Sequence, residues 1–275
     1  MYEDEELAAL YPSDYYAFTD RFAVSGVRPS VRAKLSGLLT PPEHKTRDPK
    51  FERPGRMLDI GCGAGWFISQ MRDQGWEVKG VEPNIAAAEF GRSKEGLDIF
   101  PGSLLEANFP PRAFDYVRMN HSLEHMAHPN EILDEVYRIL ADQGKLMIGV
   151  PNRDSFAARV FGRFWYHLAL PLHAFTYSVQ TLSQMLTKHN FEVEKVAFNT
   201  EQTPLLAGLQ IYLTRHRASP SFHGRLAGNR LAIFLSYWAA RLQNSLHVSD
   251  VIEITATKRQ DQATLEQPEN PVDVA

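Results

Sequence analysis

The sequence predicts an α/β fold built on a doubly wound, mostly parallel sheet, and three observations predict it. From Arg56 onward, short apolar runs alternate with helical patterns, as repeated strand-helix-strand units require. The first run, 57–60, ends directly in Gly61-Cys62-Gly63-Ala64-Gly65. The second ends in an acid, Glu82, about 20 residues beyond that loop, the spacing of a nucleoside-binding crossover.

The elements follow in chain order. Residues 1–50 read as a helical N-terminal cap with aromatics at Tyr11, Tyr15, Tyr16 and Phe18 and a stop at Pro41-Pro42. A charged stretch, 43–53, leads into the main domain, 51–258. Strands are predicted at 56–60, 76–82, 97–101, 113–119 and 144–150, with helices at 65–74, 84–94 and 129–140. Two insertions interrupt the pattern, at about 152–177 and 200–247, with a helix over 178–189 and a strand over 191–198 between them. The second insertion holds an amphipathic helix with Leu231, Phe234, Leu235, Trp238 and Leu242 at helical spacing. Residues 250–258 alternate like a last strand, and 259–275 read as a disordered tail.

Composition fits a globular body: 44% of the 275 residues are hydrophobic and 23% charged. A formal charge of −4 gives no overall attraction to nucleic acid phosphates, so no nucleic acid partner is expected. Cys62 is the sole cysteine, which excludes an intrachain disulfide and a multi-cysteine zinc site. The acidic start lacks a basic, secretory-type n-region, and no run approaches the roughly 18 apolar residues of a spanning helix. A cytoplasmic location is the expectation.

Glycines in the 61–65 loop let the backbone turn sharply and approach a ligand closely. The spacing is G-x-G-x-G, whereas a pyrophosphate-gripping dinucleotide loop more usually reads G-x-G-x-x-G. Asp59 at the loop entrance suits a positively charged ligand, and Glu82 can accept both ribose hydroxyls.

These residues resemble the class I S-adenosylmethionine-dependent methyltransferases, whose first motif is similar to Leu58-Asp59-Ile60-Gly61-Cys62-Gly63-Ala64-Gly65 and whose second strand ends in an acid like Glu82. The resemblance implies a Rossmann-like sheet of seven strands with the last antiparallel, and S-adenosyl-L-methionine as cofactor. It implies that Asp59, Gly61, Gly63 and Gly65 contact the methionine portion and Glu82 the ribose. Where the family often has an acid after strand three, this chain has Gly102-Ser103-Leu104, so Ser103 would bond the adenine and Leu104 pack on it. Asn120, closing the fourth strand, joins this cofactor-binding set.

His121-Ser122-Leu123-Glu124-His125 follows the fourth strand and resembles the corresponding motif of the family's small-molecule branch, while Pro171 to Gln184 resembles a stretch of bacterial methyltransferases found with polysaccharide or lipid biosynthesis. Three readings stay open for His121, Glu124 and His125: capping and lining the pocket, a general base, or a divalent metal site to which His173 adds a ligand. Relatives that hold a metal tend to carry a glutamate at the position of His121, and no metal is assigned. His173, in Pro171-Leu172-His173, is the preferred base, with His121 second.

The acceptor expected from this resemblance is a small molecule, sugar or glycan or lipid intermediate, methylated on oxygen. Aromatics such as Phe161, Phe164, Trp165, Tyr166 and Phe175 either line a substrate lid or pack the first insertion onto the sheet. Residues 225–246 carry Arg225, Arg230 and Arg241 beside the apolar stripe and no acid, which suits core packing or docking on a membrane surface or a partner. Two rivals remain. One is an NAD-dependent oxidoreductase, against which stands the lack of any Tyr followed four residues later by Lys. The other is a non-catalytic S-adenosylmethionine-binding module.

Overall fold

The computed structural model describes residues 48–170, 172–200, 202–214 and 229–259. The N-terminal cap with its aromatic cluster and nearly all of the polar tail lie outside the described residues.

Seven strands form one sheet: β1 (Arg56–Ile60), β2 (Glu77–Glu82), β3 (Ile99–Pro101), β4 (Phe114–Asn120), β5 (Leu140–Pro151), β6 (Phe191–Asn199) and β7 (Val251–Lys258). Their order is β3-β2-β1-β4-β5-β7-β6. β1 to β5 pair in parallel, and β7 runs antiparallel to both β5 and β6. Strand order reverses between β1 and β4, so their carboxyl ends open the crevice where open α/β sheets bind ligands.

Alternation along the strands builds two cores. Leu58 and Ile60 of β1 face α3 (Pro129–Ile139) and α5 (Val179–Lys188). Met57 of β1 and Tyr116 of β4 face α1 (Trp66–Asp73) and α2 (Ile85–Glu95). Local signals set the helix ends. Asn84 accepts from the Ala87 amide at the start of α2, Gly96 takes the left-handed conformation at its end, and Ser178 and Thr181 form a capping box on α5.

Three expectations shift. The third strand begins at Ile99 rather than 97, because Leu97 turns into the core beneath Gly65. β5 begins at Leu140, where α3 passes straight into it. The insertions are more ordered than the sequence suggests. The first forms α4 (Phe156–Phe161) and two short 3₁₀ turns, and the second contains α6 (Gln202–Thr214) before α7 (Arg230–Ser245). Asp250 anchors the first insertion to β7, accepting from Ser155 Oγ at 2.9 Å and from Trp165 Nε1 at 3.1 Å.

Candidate active site

The glycine loop and Glu82 are joined directly. The Gly63 amide donates to Glu82 Oε2 and the Asn84 amide to Oε1, both at 2.8 Å. Burial pushes the Glu82 carboxyl above its ordinary range, with these amides working the other way. Gly61 has φ +76°, and a β-carbon there would meet the Ser122 Cβ at 2.6 Å. The loop thus lies against the segment that follows β4. Ser122 is buried, and its Oγ has no hydrogen-bond partner among the described residues.

Around this loop, at the carboxyl ends of β1 to β3, Trp66, Ile85 and Leu105 are exposed. An apolar rim beside a buried carboxylate suits a nucleoside, with the base against the rim and the sugar at the acid. An orphaned Ser122 hydroxyl and a loop that admits no side chain at Gly61 complete a cradle that fits S-adenosylmethionine.

Three of the expected cofactor residues make contacts within the fold. Asp59 is buried and paired with Arg118, whose Nη1 lies 3.3 Å from both carboxylate oxygens, while the guanidinium stacks on Phe67. Burial raises Asp59 to about 6 against the pull of Arg118. Its charge is therefore engaged inside the fold. Leu104 is committed to the main core, and its exposed neighbour Leu105 faces outward instead. The Ser103 amide and hydroxyl both donate to Glu106 Oε2, at 2.7 and 2.8 Å. Gly65 and Asn120 sit where the loop enters α1 and where β4 ends.

The histidines converge from two parts of the chain. His121, in left-handed backbone at φ +55°, places Nδ1 3.2 Å from Glu124 Oε1. The Ala174 amide donates to the Glu124 carbonyl at 2.8 Å, which ties the first insertion to this loop. His125 donates from Nδ1 to the Leu172 carbonyl at 3.0 Å, and its ring meets that of His173 edge-on at 4.6 Å. His173 donates from Nδ1 to the His167 carbonyl at 2.7 Å, which leaves Nε2 as its acceptor nitrogen.

Electrostatics separate these groups. Burial favours a neutral Glu124, but the His121 hydrogen bond and the neighbouring His125 and His173 outweigh it and bring the carboxyl to about 2. Burial lowers His173 to about 4, so it is neutral at neutral pH. One carboxylate thus sits among imidazoles of which at least His173 is in its basic form. Glu124, His125 and His173 also offer ligand atoms within 4.8 Å of one another, and Glu124 Oε2 has no hydrogen-bond partner among the described residues.

Sequence reasoning missed His167, whose carbonyl orients His173 and whose ring stacks with His121 at 6.1 Å. Its only signal was a polar residue inside the aromatic stretch 156–175. Tyr177 was missed too: burial and the Glu124 charge raise its phenol, which has no hydrogen-bond partner among the described residues.

The chain is similar to known methyltransferases. A ubiquinone biosynthesis O-methyltransferase of Bradyrhizobium sp. (strain ORS 278) is 31% identical over 140 residues, covering 49% of this chain and 55% of the relative. Its counterpart in Maricaulis maris is 33% identical over 126 residues, covering 42% and 49%. The chain thus spans about half the length of the curated relatives it matches. A solved S-adenosylmethionine-dependent methyltransferase from Archaeoglobus fulgidus shares the fold at a TM-score of 0.53 and 22% identity, covering 87% of this chain and 100% of that one. The methyltransferase domain model matches residues 32–196, more than half of the sequence, and the chain belongs to that family.

Proposed function

We propose that this chain is an S-adenosylmethionine-dependent O-methyltransferase whose acceptor is a small molecule, a sugar, or a glycan or lipid intermediate. The observation that carries the proposal is the contact between two sites. The Gly61–Ser122 approach joins a nucleoside cradle to a loop whose Glu124 neighbours His173, a buried neutral histidine in a fixed tautomer. The O-methyltransferase names of the similar proteins support oxygen as the acceptor atom.

In this reading Gly61, Gly63 and Gly65 wrap the methionine end, Glu82 holds the ribose, and Ser103, Leu105 and Asn120 border the base and sulfonium side. When bound, S-adenosylmethionine supplies an electrophilic methyl group. His173 Nε2 takes the proton of the acceptor hydroxyl as the oxygen acquires the methyl, and S-adenosylhomocysteine leaves. The Glu124 carboxylate favours the imidazolium formed at His173, which then passes its proton to water. His125 and the His167 carbonyl hold that ring in place. Positioning lowers the barrier further by pre-aligning the reactants. Peripheral contact with the inner face of a membrane through residues 225–246 belongs to the same reading, supported by exposed apolar side chains on α7.

A second reading, favoured by the three donors within 4.8 Å, places a divalent ion at Glu124, His125 and His173. One assay tests both. A panel of phenols, sugars and lipid-linked alcohols is screened for S-adenosylhomocysteine release, with and without EDTA. Release that persists in EDTA supports the base, release lost in EDTA and restored by magnesium or zinc supports the ion, and no release with any acceptor despite cofactor binding favours the non-catalytic module.

A further inference from the structure

Helix α7 is amphipathic in the reverse sense of a core helix. It turns Ser236, Ala240 and Gln243 inward, each at most 5% exposed, while Leu231, Phe234, Leu235, Trp238 and Leu242 stand 43% to 65% exposed. Of the readings of this stripe, core packing is overturned, because its side chains are exposed while α7 packs against α6. α6 extends the surface with exposed Tyr212 and Leu213. Exposed apolar side chains gathered along one helix face mark an interaction site.

Charge says what the surface meets. Residues 202–249 contain five arginines, at 215, 217, 225, 230 and 241, and neither lysine nor acid, so all 33 acidic residues of the chain lie elsewhere. We propose that the outward faces of α6 and α7 dock on an anionic phospholipid bilayer. A second copy of a segment without any acidic residue offers arginines no counter-charge from that segment, whereas lipid phosphates do. The Arg241 guanidinium lies 5.9 Å from the Trp238 ring, pairing a cation with an interfacial aromatic. At 16 residues α7 is about 24 Å long, and no helix among the described residues is long and apolar enough to cross a membrane, so the surface lies on the bilayer.

The placement has a consequence for the acceptor. Tyr212 of α6 packs edge-on against Phe164 at 5.8 Å, three residues before His167, whose carbonyl holds His173. Docking therefore seats the insertion that supports the base next to the lipid, the source of a membrane-held acceptor. The inference rests on the peripheral-contact reading of 225–246 and not on the transfer chemistry.

The test is sedimentation of the full chain with vesicles of phosphatidylcholine alone or with added phosphatidylglycerol. We expect the chain to pellet with the anionic vesicles and to be released by raised salt. A Phe234→Glu/Trp238→Glu double variant should bind at least about tenfold more weakly with an unchanged melting temperature, since both side chains are exposed. Arg241→Gln should give a smaller loss in the same direction. Equal binding to neutral vesicles, no binding to either, or a dimer that the double variant dissociates in place of vesicle binding would each overturn the proposal. Vesicle binding is read without turnover, so a chain that binds lipid yet never releases S-adenosylhomocysteine would sink the transfer proposal and leave this one standing.

Discussion

In the proposed reading His173 is the base, and two effects that act oppositely meet at its ring. The His167 carbonyl fixes the proton on Nδ1, and burial keeps the ring neutral by lowering its pKa to about 4. The sign follows: a base with a depressed pKa is active above that value and is lost as pH falls through it. Turnover should hold from pH 8 down to about 5, and an acid limb near the ordinary histidine value would contradict the assignment. Replacing His173 with alanine should cut kcat on the order of 100-fold with little change in cofactor affinity. Full activity in that variant would dispose of the role. His173 was singled out through resemblance, whereas the meeting of Glu82 with the glycine loop was legible from residue type and spacing. The Asp59–Arg118 pair was not: it joins residues 59 positions apart on neighbouring strands, and no local pattern announces it.

Among the elements, the first insertion depends on a few polar contacts made far along the chain. Trp165 and Ser155 share Asp250 Oδ1, while Oδ2 has no hydrogen-bond partner among the described residues. Trp165→Phe should therefore leave a buried acceptor poorer by one donor and cost about 1–3 kcal/mol, measured as a lowered unfolding midpoint. It should also reduce kcat, because the same insertion carries His167 and His173. An unchanged midpoint would refute the anchor. Strands β1, β2 and β4 were legible as short apolar runs set between helical patterns. α7 shows the limit, since periodicity reveals that a helix has an apolar stripe but not whether the stripe faces the core or the solvent.

At the scale of the whole molecule, the order β3-β2-β1-β4-β5-β7-β6 brings the glycine loop, Glu82 and the His121 to His125 segment to one edge of the sheet. Resemblance supplied the seven strands and the antiparallel last one, but the order was not legible, because pairing between distant strands leaves no local trace. The antiparallel β7 runs between β5 and β6, and Asp250, just before it, anchors the insertion beside the site. Calorimetry of the full chain against S-adenosylhomocysteine and against NAD tests the central claim most directly. The geometry predicts saturable binding of S-adenosylhomocysteine, weakened by Glu82→Gln, with no response to NAD. Tight NAD binding with no response to S-adenosylhomocysteine would contradict it.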